Sequence, residues 1–361
     1  MERYTKYRLG DIAEMRYGKL PPDSTTSGSY PVYSGYRYVG YTDSFNCSKG
    51  SVIVVARGVG GTGDVKLIEQ DCYLTNLSIS VVLNPLICDP AYFYYKFFKN
   101  NLRYLDSGSA QSQITIDDLK RLEVSLPSLL EQQQIVRILK SFDDKISLNK
   151  RINHNLEEQA KFHFEEWSRR CNEEKSIAEL SFNILDYSQN QKDKVILLNS
   201  SDVTEGVFET LPYVVNKNLK GQFKKRFRKG DVLYSEIRPR NHHYAFCYFD
   251  AEDYIASTRL MIIRRNPELL FSDALLYQYL LMQRVEEEFT SKTESRSGTF
   301  PQGNYEDLSS SMVPYSRENQ IISKTLDALY SIIWLNMEEN KRLTSFRDAL
   351  LPQLMSGYLT C

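Results

Sequence analysis

Two long stretches of the chain place their apolar and small polar residues in alternating steps of four and three. The first runs through Ile135, Leu139, Phe142, Ile146, Asn149, Asn153, Leu156, Ala160, His163 and Trp167. The second runs through Ile322, Leu326, Leu329, Ile333, Asn336, Asn340, Leu343, Arg347, Leu350 and Leu354, at a constant offset of 187 residues. A 4-3 spacing is the seam of a left-handed coiled coil. Each stretch therefore predicts a helix of about 35–40 residues, roughly 50–60 Å long at ~1.5 Å per residue. Pro352 is expected to end the second helix a little early, since it lacks an N–H and crowds the preceding turn. Asn149, Asn153, Asn336 and Asn340 fall in the seam, where polar residues cost stability but fix register. Each helix follows its own globular segment, so the two are expected to pack on each other antiparallel.

Ahead of each helix lies a segment of short β-branched runs bounded by Gly or Pro, with one short helix at about 90–102 and at about 273–288. The two segments match. Lys49–Ile53 aligns with Lys229–Leu233, Tyr73–Ile79 with Tyr254–Leu260, Asp89–Phe98 with Asp273–Met282, Ser107–Ser109 with Ser297–Thr299, and Asp118–Leu119 with Asp307–Leu308. Such self-similarity marks a duplicated unit. The predicted architecture is α+β: two homologous domains, 1–126 and 173–313, joined and spaced by two antiparallel coiled-coil helices in 127–172 and 314–361, with pseudo-twofold repetition.

Composition narrows the class. No apolar run approaches the ~18–20 residues of a membrane span, and the N-terminus lacks the apolar core of a signal peptide. A soluble, cytoplasmic protein without a membrane partner is expected. Six scattered cysteines with no CxxC pair suggest reduced thiols rather than a disulfide framework or zinc site. The net charge of −1 is unlike that of a free-standing nucleic-acid binder. Neither domain stands out, with 14 basic and 13 acidic residues in 1–126 and 18 and 21 in 173–313.

Several motifs imitate catalytic signatures. Gly58–Gly63 satisfies G-x-G-x-x-G, but the following Asp64–Ile68 alternates like a strand, where a dinucleotide site needs a helix N-terminus. It reads as a glycine-rich hairpin. Asn84-Pro85-Leu86 and Asn266-Pro267-Glu268 lack the second proline and the aromatic of amino-methyltransferases, and read as strand-ending turns. The histidines and Cys247 complete no metal-ligand set. No nucleophile–base arrangement stands out. The chain reads as non-catalytic, with no metal and no cofactor of its own.

Binding chemistry is better represented. Lys224-Lys225-Arg226 with Arg228 and Lys229 forms a dense basic stretch suited to phosphate contact. Arg238-Pro239-Arg240-Asn241-His242-His243 follows a β run at the place occupied by Arg57 in the first copy. Arg can read guanine and Asn adenine by paired hydrogen bonds. The polar segments Ser109-Ala110-Gln111-Ser112-Gln113 and Thr299-Phe300-Pro301-Gln302-Gly303-Asn304 sit at equivalent positions. Candidate DNA-binding residues are thus Arg57, Lys66, Ser109, Gln111, Gln113, Lys224, Lys225, Arg238, Arg240, Asn241, His242, Thr299, Gln302 and Asn304. An ordinary solvated loop is the competing reading for each.

Three stretches carry a family resemblance. Leu126-Pro127-Ser128-Leu129-Leu130-Glu131-Gln132-Gln133-Gln134-Ile135 resembles the proline, Glu-Gln, isoleucine signature of DNA-specificity subunits of type I restriction-modification systems. Arg347-Asp348-Ala349-Leu350-Leu351-Pro352-Gln353-Leu354-Met355-Ser356-Gly357 resembles that family's C-terminal stretch. Tyr7-Arg8-Leu9-Gly10-Asp11-Ile12-Ala13 is similar to the start of a target-recognition domain. The second signature, Pro314-Tyr315-Ser316-Arg317-Glu318-Asn319-Gln320, departs by having Asn319 where glutamine is usual.

The resemblance implies a division of labour. Each globular domain would be a target-recognition domain reading half of a bipartite double-stranded DNA site, with the paired helices as a ruler. Two methyltransferase subunits would bring S-adenosylmethionine and methylate adenine. Restriction subunits would bring ATP- and Mg-dependent translocation and cleavage. The alternative is a coiled-coil adaptor that never touches DNA, which salt-dependent DNA binding would exclude.

Overall fold

The computed structural model describes residues 4–20, 27–35, 37–58, 61–99, 101–106, 112–296, 302–316 and 318–358. The chain divides into two compact units: residues 1–147 with 340–361, and residues 148–339. The division falls within the two long helices, Leu129–Ser168 and Asn319–Met355, so each unit holds a piece of both.

The units repeat the same topology. In unit 1 an antiparallel sheet has the order Ala13–Tyr17, Ser78–Leu83, Val52–Val55, Val65–Leu67. In unit 2 the order Ser181–Asn183, Leu260–Arg265, Val232–Ser235, Tyr244–Phe246 reproduces it. A second sheet in each unit contains one parallel pairing, Tyr30–Ser34 with Tyr73–Leu74 and Lys194–Leu198 with Tyr254–Ser257. A two-stranded ladder joins the start of each domain to its end: Thr5–Arg8 with Glu123–Leu126, and Glu173–Ser176 with Met312–Tyr315. The central strands Val52–Val55 and Val232–Ser235 are buried throughout, as continuous apolar runs require when both faces are covered.

The strand registers sharpen the repeat. Val55 faces Ser78 and Ser235 faces Leu260, so Ser78, one residue before the match read from sequence, is the counterpart of Leu260. The short helix of the second copy is also two helices, Asp273–Leu280 and Gln283–Glu294, where a single one spanned 273–288 by pattern. In the first copy helix Pro90–Phe97, with Asp89 as N-cap and Pro90 opening it, is followed by a separate turn, Leu102–Leu105.

Within each unit the long helices run antiparallel. In unit 1, Ile135, Leu139, Leu351 and Leu354 share one core cluster, and Arg347 donates to Asp143 at 2.6 Å. In unit 2, Asn149 donates to Glu339 at 2.6 Å, Asn153 to the Ile333 carbonyl at 3.1 Å, and Asn336 to Asn153 at 2.8 Å. Of the four seam asparagines, Asn153 and Asn336 thus meet across the pair. The helices pack on their domains too: Trp334 stacks on Phe246 with centroids 4.3 Å apart.

Two expectations for the helices fail. His163 is exposed, and Phe164 takes the inward position, 4% exposed. From Ala160 the buried face advances by four and then three to Trp167, because the helix here follows the aromatic core of unit 2 (Tyr279 lies 5.7 Å from Phe164). Pro352 does not stop the second helix, which continues to Met355. Within the last turn the lost N–H and the crowded carbonyl cost little propagation.

The family signatures are structural joints. Gln132 is fully buried, donating to the carbonyls of Ile87 at 2.9 Å and Pro127 at 3.0 Å while accepting from the Asp89 N–H at 2.9 Å. Its counterpart Asn319 accepts from the Ser316 N–H at 3.0 Å, and Ser323 accepts from the Ser272 N–H at 3.0 Å. The shorter side chain and a serine divide between them part of what one glutamine does, so the helix opens normally. No helix among the described residues is long and apolar enough to cross a membrane.

Candidate nucleic-acid interface

The two polar segments singled out in each copy converge. In unit 1 Arg57, two residues after the central strand, forms an isolated antiparallel bridge with Gln113. In unit 2 Ile237 forms the same bridge with Gln302. The surrounding hydrogen bonds repeat as well: Ala56 N donates to Leu77 O at 2.8 Å and Ile114 N to Ala56 O at 2.9 Å. In unit 2 Glu236 N donates to Arg259 O at 2.9 Å and Gly303 N to Glu236 O at 2.8 Å. One backbone frame thus presents Ala56, Arg57, Leu77 and Gln113 in unit 1, and Glu236, Ile237, Arg259 and Gln302 in unit 2. Only the glutamine is shared.

In unit 1, Arg57 is exposed and Gln113 half-buried, its backbone N–H held by Asp106 at 2.8 Å. The strands flanking the glycine-rich segment, Val52–Val55 and Val65–Leu67, pair antiparallel, as a hairpin requires. Gly63, at φ 90°, packs so that a Cβ would lie 2.4 Å from the Arg103 nitrogen. Among the described residues no helix begins there to hold a phosphate. Lys66 lies half-buried in the strand opposite Ile53. Ser109, Gln111 and Thr299 lie outside the described residues.

In unit 2, Arg238 and His242 bracket the short turn Pro239–Asn241, and both hold left-handed backbone angles, φ 48° and 51°. Such angles in non-glycine residues cost energy and cluster at functional loops. Arg238 and Asn241 are exposed. Three neighbours are committed elsewhere. Arg240 places its fork on Glu294 at 2.7 and 2.9 Å, and His242 lies 3.4 Å from Glu286, which staples the loop to helix Gln283–Glu294. His243 Nδ1 lies 2.9 Å from the Val203 carbonyl. The guanidinium of Arg240 is thereby removed from the free donors that the sequence implied.

The basic stretch splits at a register shift in its strand. Lys224 is exposed, whereas Lys225 is 3% exposed, donating to the Leu260 carbonyl at 2.7 Å and pairing with Glu236 at 3.4 Å. Its environment corrects its assignment as a phosphate contact: the register of Phe223–Lys225 shifts between Phe223 and Lys225 against Tyr254–Ser257, and Lys225 turns into the core. Burial holds its ammonium pKa below the ordinary lysine value despite Glu236. Asn304 caps helix Tyr305–Ser309, accepting from the Asp307 N–H at 2.9 Å. Its amide is a capping group, which removes it from base reading in this arrangement.

Two arginines join the locus that no motif indicated. Arg259, exposed, donates to Gln302 Oε1, and Gln302 Nε2 donates to Glu236 at 2.7 Å. Arg296 donates to the Gln302 carbonyl at 2.7 Å and to Asp307 at 2.8 Å. The repeat itself carried a signal for Arg259, once the one-residue shift at Ser78 and Leu260 places Leu77 opposite it. Among the described residues no cluster of three or more His, Cys, Asp or Glu could hold a metal ion.

Comparison with known proteins agrees with the duplication. Over 180 residues the chain is 35% identical to the type I restriction enzyme HindI specificity subunit of Haemophilus influenzae, 49% of this chain and 39% of that protein. The matched part thus spans about two fifths of that relative's length. The crystal structure of the type I restriction-modification system S subunit from M. genitalium superposes with a TM-score of 0.66 at 19% identity, covering 97% of this chain and 96% of that one, which establishes the shared fold. The family model for the type I restriction modification DNA specificity domain matches twice, over residues 1–158 and 178–345, one match on each copy of the repeat. With both halves matched, the chain belongs to the type I restriction-modification DNA specificity family.

Proposed function

We propose that this chain is the non-catalytic, sequence-reading subunit of a cytoplasmic type I restriction-modification complex. Each unit reads one half of a bipartite double-stranded site. Two methyltransferase subunits supply S-adenosylmethionine and methylate adenine, and restriction subunits supply ATP- and Mg-dependent translocation and cleavage. One observation supports the reading: the same backbone frame occurs twice and presents different side chains each time. An adaptor that only joined proteins would have no use for two divergent copies of one polar loop frame.

The net charge of −1 supports a shared grip. Phosphate contacts dominate affinity and its salt dependence, so the isolated chain is expected to bind DNA weakly and its partners to add much of the electrostatic hold. The test is a gel-shift salt series with the chain alone and with methyltransferase subunits, joined to mapping of methylated adenines with and without the gene. Loss of methylation at one bipartite motif on deletion is the expected result. Tight binding by the isolated chain at physiological salt would overturn the shared grip, and no salt-dependent binding in either state would favour the adaptor.

A further inference from the structure

We propose that Arg259 specifies a guanine in the half-site read by unit 2, and that Lys225, Glu236 and Gln302 form the chain that aims it. The inference deepens the DNA-recognition reading and rests on it.

The chain of contacts has a fixed polarity. Lys225 is buried and holds Glu236, whose side chain is 15% exposed. Glu236 accepts from the amide nitrogen of Gln302, which turns the amide oxygen towards the Arg259 guanidinium. A glutamine has one donor end and one acceptor end, so a carboxylate on one side determines which end meets the arginine. The backbone of Arg259 is fixed as well, its carbonyl accepting from Glu236 and its N–H lying 3.3 Å from Ser257 Oγ.

The charges point outward. Lys225 and Glu236 compensate each other inside, and among the described residues no carboxylate pairs with Arg259. Its positive charge and remaining donors are therefore presented at the surface beside the Gln302 bridge. A guanidinium held in one orientation loses little entropy on forming two parallel hydrogen bonds, and guanine O6 and N7 are the base edge that accepts them. A simple phosphate contact needs charge but no aiming device, and an adjacent carboxylate would weaken it. Unit 1 has Leu77 and Ala56 at the places of Arg259 and Glu236, so this guanine is specific to the half-site of unit 2.

The test is selection of bound sequences from random duplexes by the full chain at low salt, where weak binding is strengthened. Wild type is expected to enrich a bipartite motif containing an obligatory guanine that R259A no longer requires, with the other half unchanged. The preference for that guanine should fall roughly tenfold to hundredfold. E236Q should give an intermediate preference, a readout that a merely structural role would not move. R259K keeps the charge and loses the fork, so it should behave like R259A. Replacing that guanine by 7-deazaguanine should weaken wild type and leave R259A unaffected. A motif unchanged in R259A, or R259K indistinguishable from wild type, overturns the proposal while leaving DNA recognition standing. No motif enriched by wild type, either alone or together with methyltransferase subunits, overturns both.

Discussion

The two units solve the same folding problem with different polar chemistry, and the difference separates what the fold needs from what recognition uses. In unit 2 the fully buried Asp231 receives two hydrogen bonds from Arg264 at 2.6 and 2.8 Å and one from the Arg228 N–H at 2.8 Å. In unit 1 the corresponding places hold Ser51 and Val82. The topology is the same either way, so this ion pair does not define the fold. The central strands, the antiparallel helix pair and the bridge to a glutamine recur in both. What recurs is scaffold, and what diverges is available for discrimination.

The ion pair offers the largest effect with which to break this comparison. Asp231→Ala should destabilise the protein by roughly 3–5 kcal/mol in urea unfolding, because Arg264 loses its partner in a half-buried place. Asp231→Ser with Arg264→Val, which writes the unit 1 residues into unit 2, should recover most of that loss. If the double variant is as unstable as the single one, the two frames are less interchangeable than their registers imply.

A smaller contrast lies at the helix openings. Gln132→Ala removes three hydrogen bonds from a buried site and should cost roughly 2–3 kcal/mol, against about 1 kcal/mol for Asn319→Ala, whose partner bond is a single cap. Equal losses in chemical denaturation would deny that Ser323 has taken over part of the role of the glutamine.

The smallest expected effect concerns pH. The seam of unit 1 is charged: burial opposes ionisation of Asp348, yet Lys99 at 2.6 Å and Arg347 at 2.8 Å hold its carboxyl below the usual carboxylate range. A depressed folded-state pKa stabilises in full above the unfolded value of about 3.9, and the gain is lost as pH falls below it. The unfolding midpoint of Asp348→Asn should therefore lie below that of wild type at neutral pH and converge with it under pH 4. In unit 2 Asn153 and Asn336, which do not titrate, meet across the seam, so the deficit of Asn336→Ala should change less over that window than that of Asp348→Asn.

Much of this was legible along the chain. The 4-3 spacing located both helices and the seam asparagines because a helix converts sequence period directly into a face. The duplication was legible because two copies must bury the same apolar runs. His163 and Pro352 were misread for local reasons: the aromatic core of unit 2 selects Phe164, and a proline in the last turn disturbs little. Lys225 was hidden by its neighbours. In a run of basic residues, only the local strand register, which shifts between Phe223 and Lys225, separates Lys224 at the surface from Lys225 in the core.

The sequence by itself therefore determined the repeat, the helix pair, the places of the polar loops and the family. Tertiary structure alone decided which polar groups of those loops are committed to partners within the fold. Arg240 is held by Glu294 and Asn304 by its helix, while Arg259, far from Gln302 in sequence, is brought beside it. The physical reason is that burial patterns are written by local period, whereas the partner of a hydrogen bond is chosen by proximity in three dimensions.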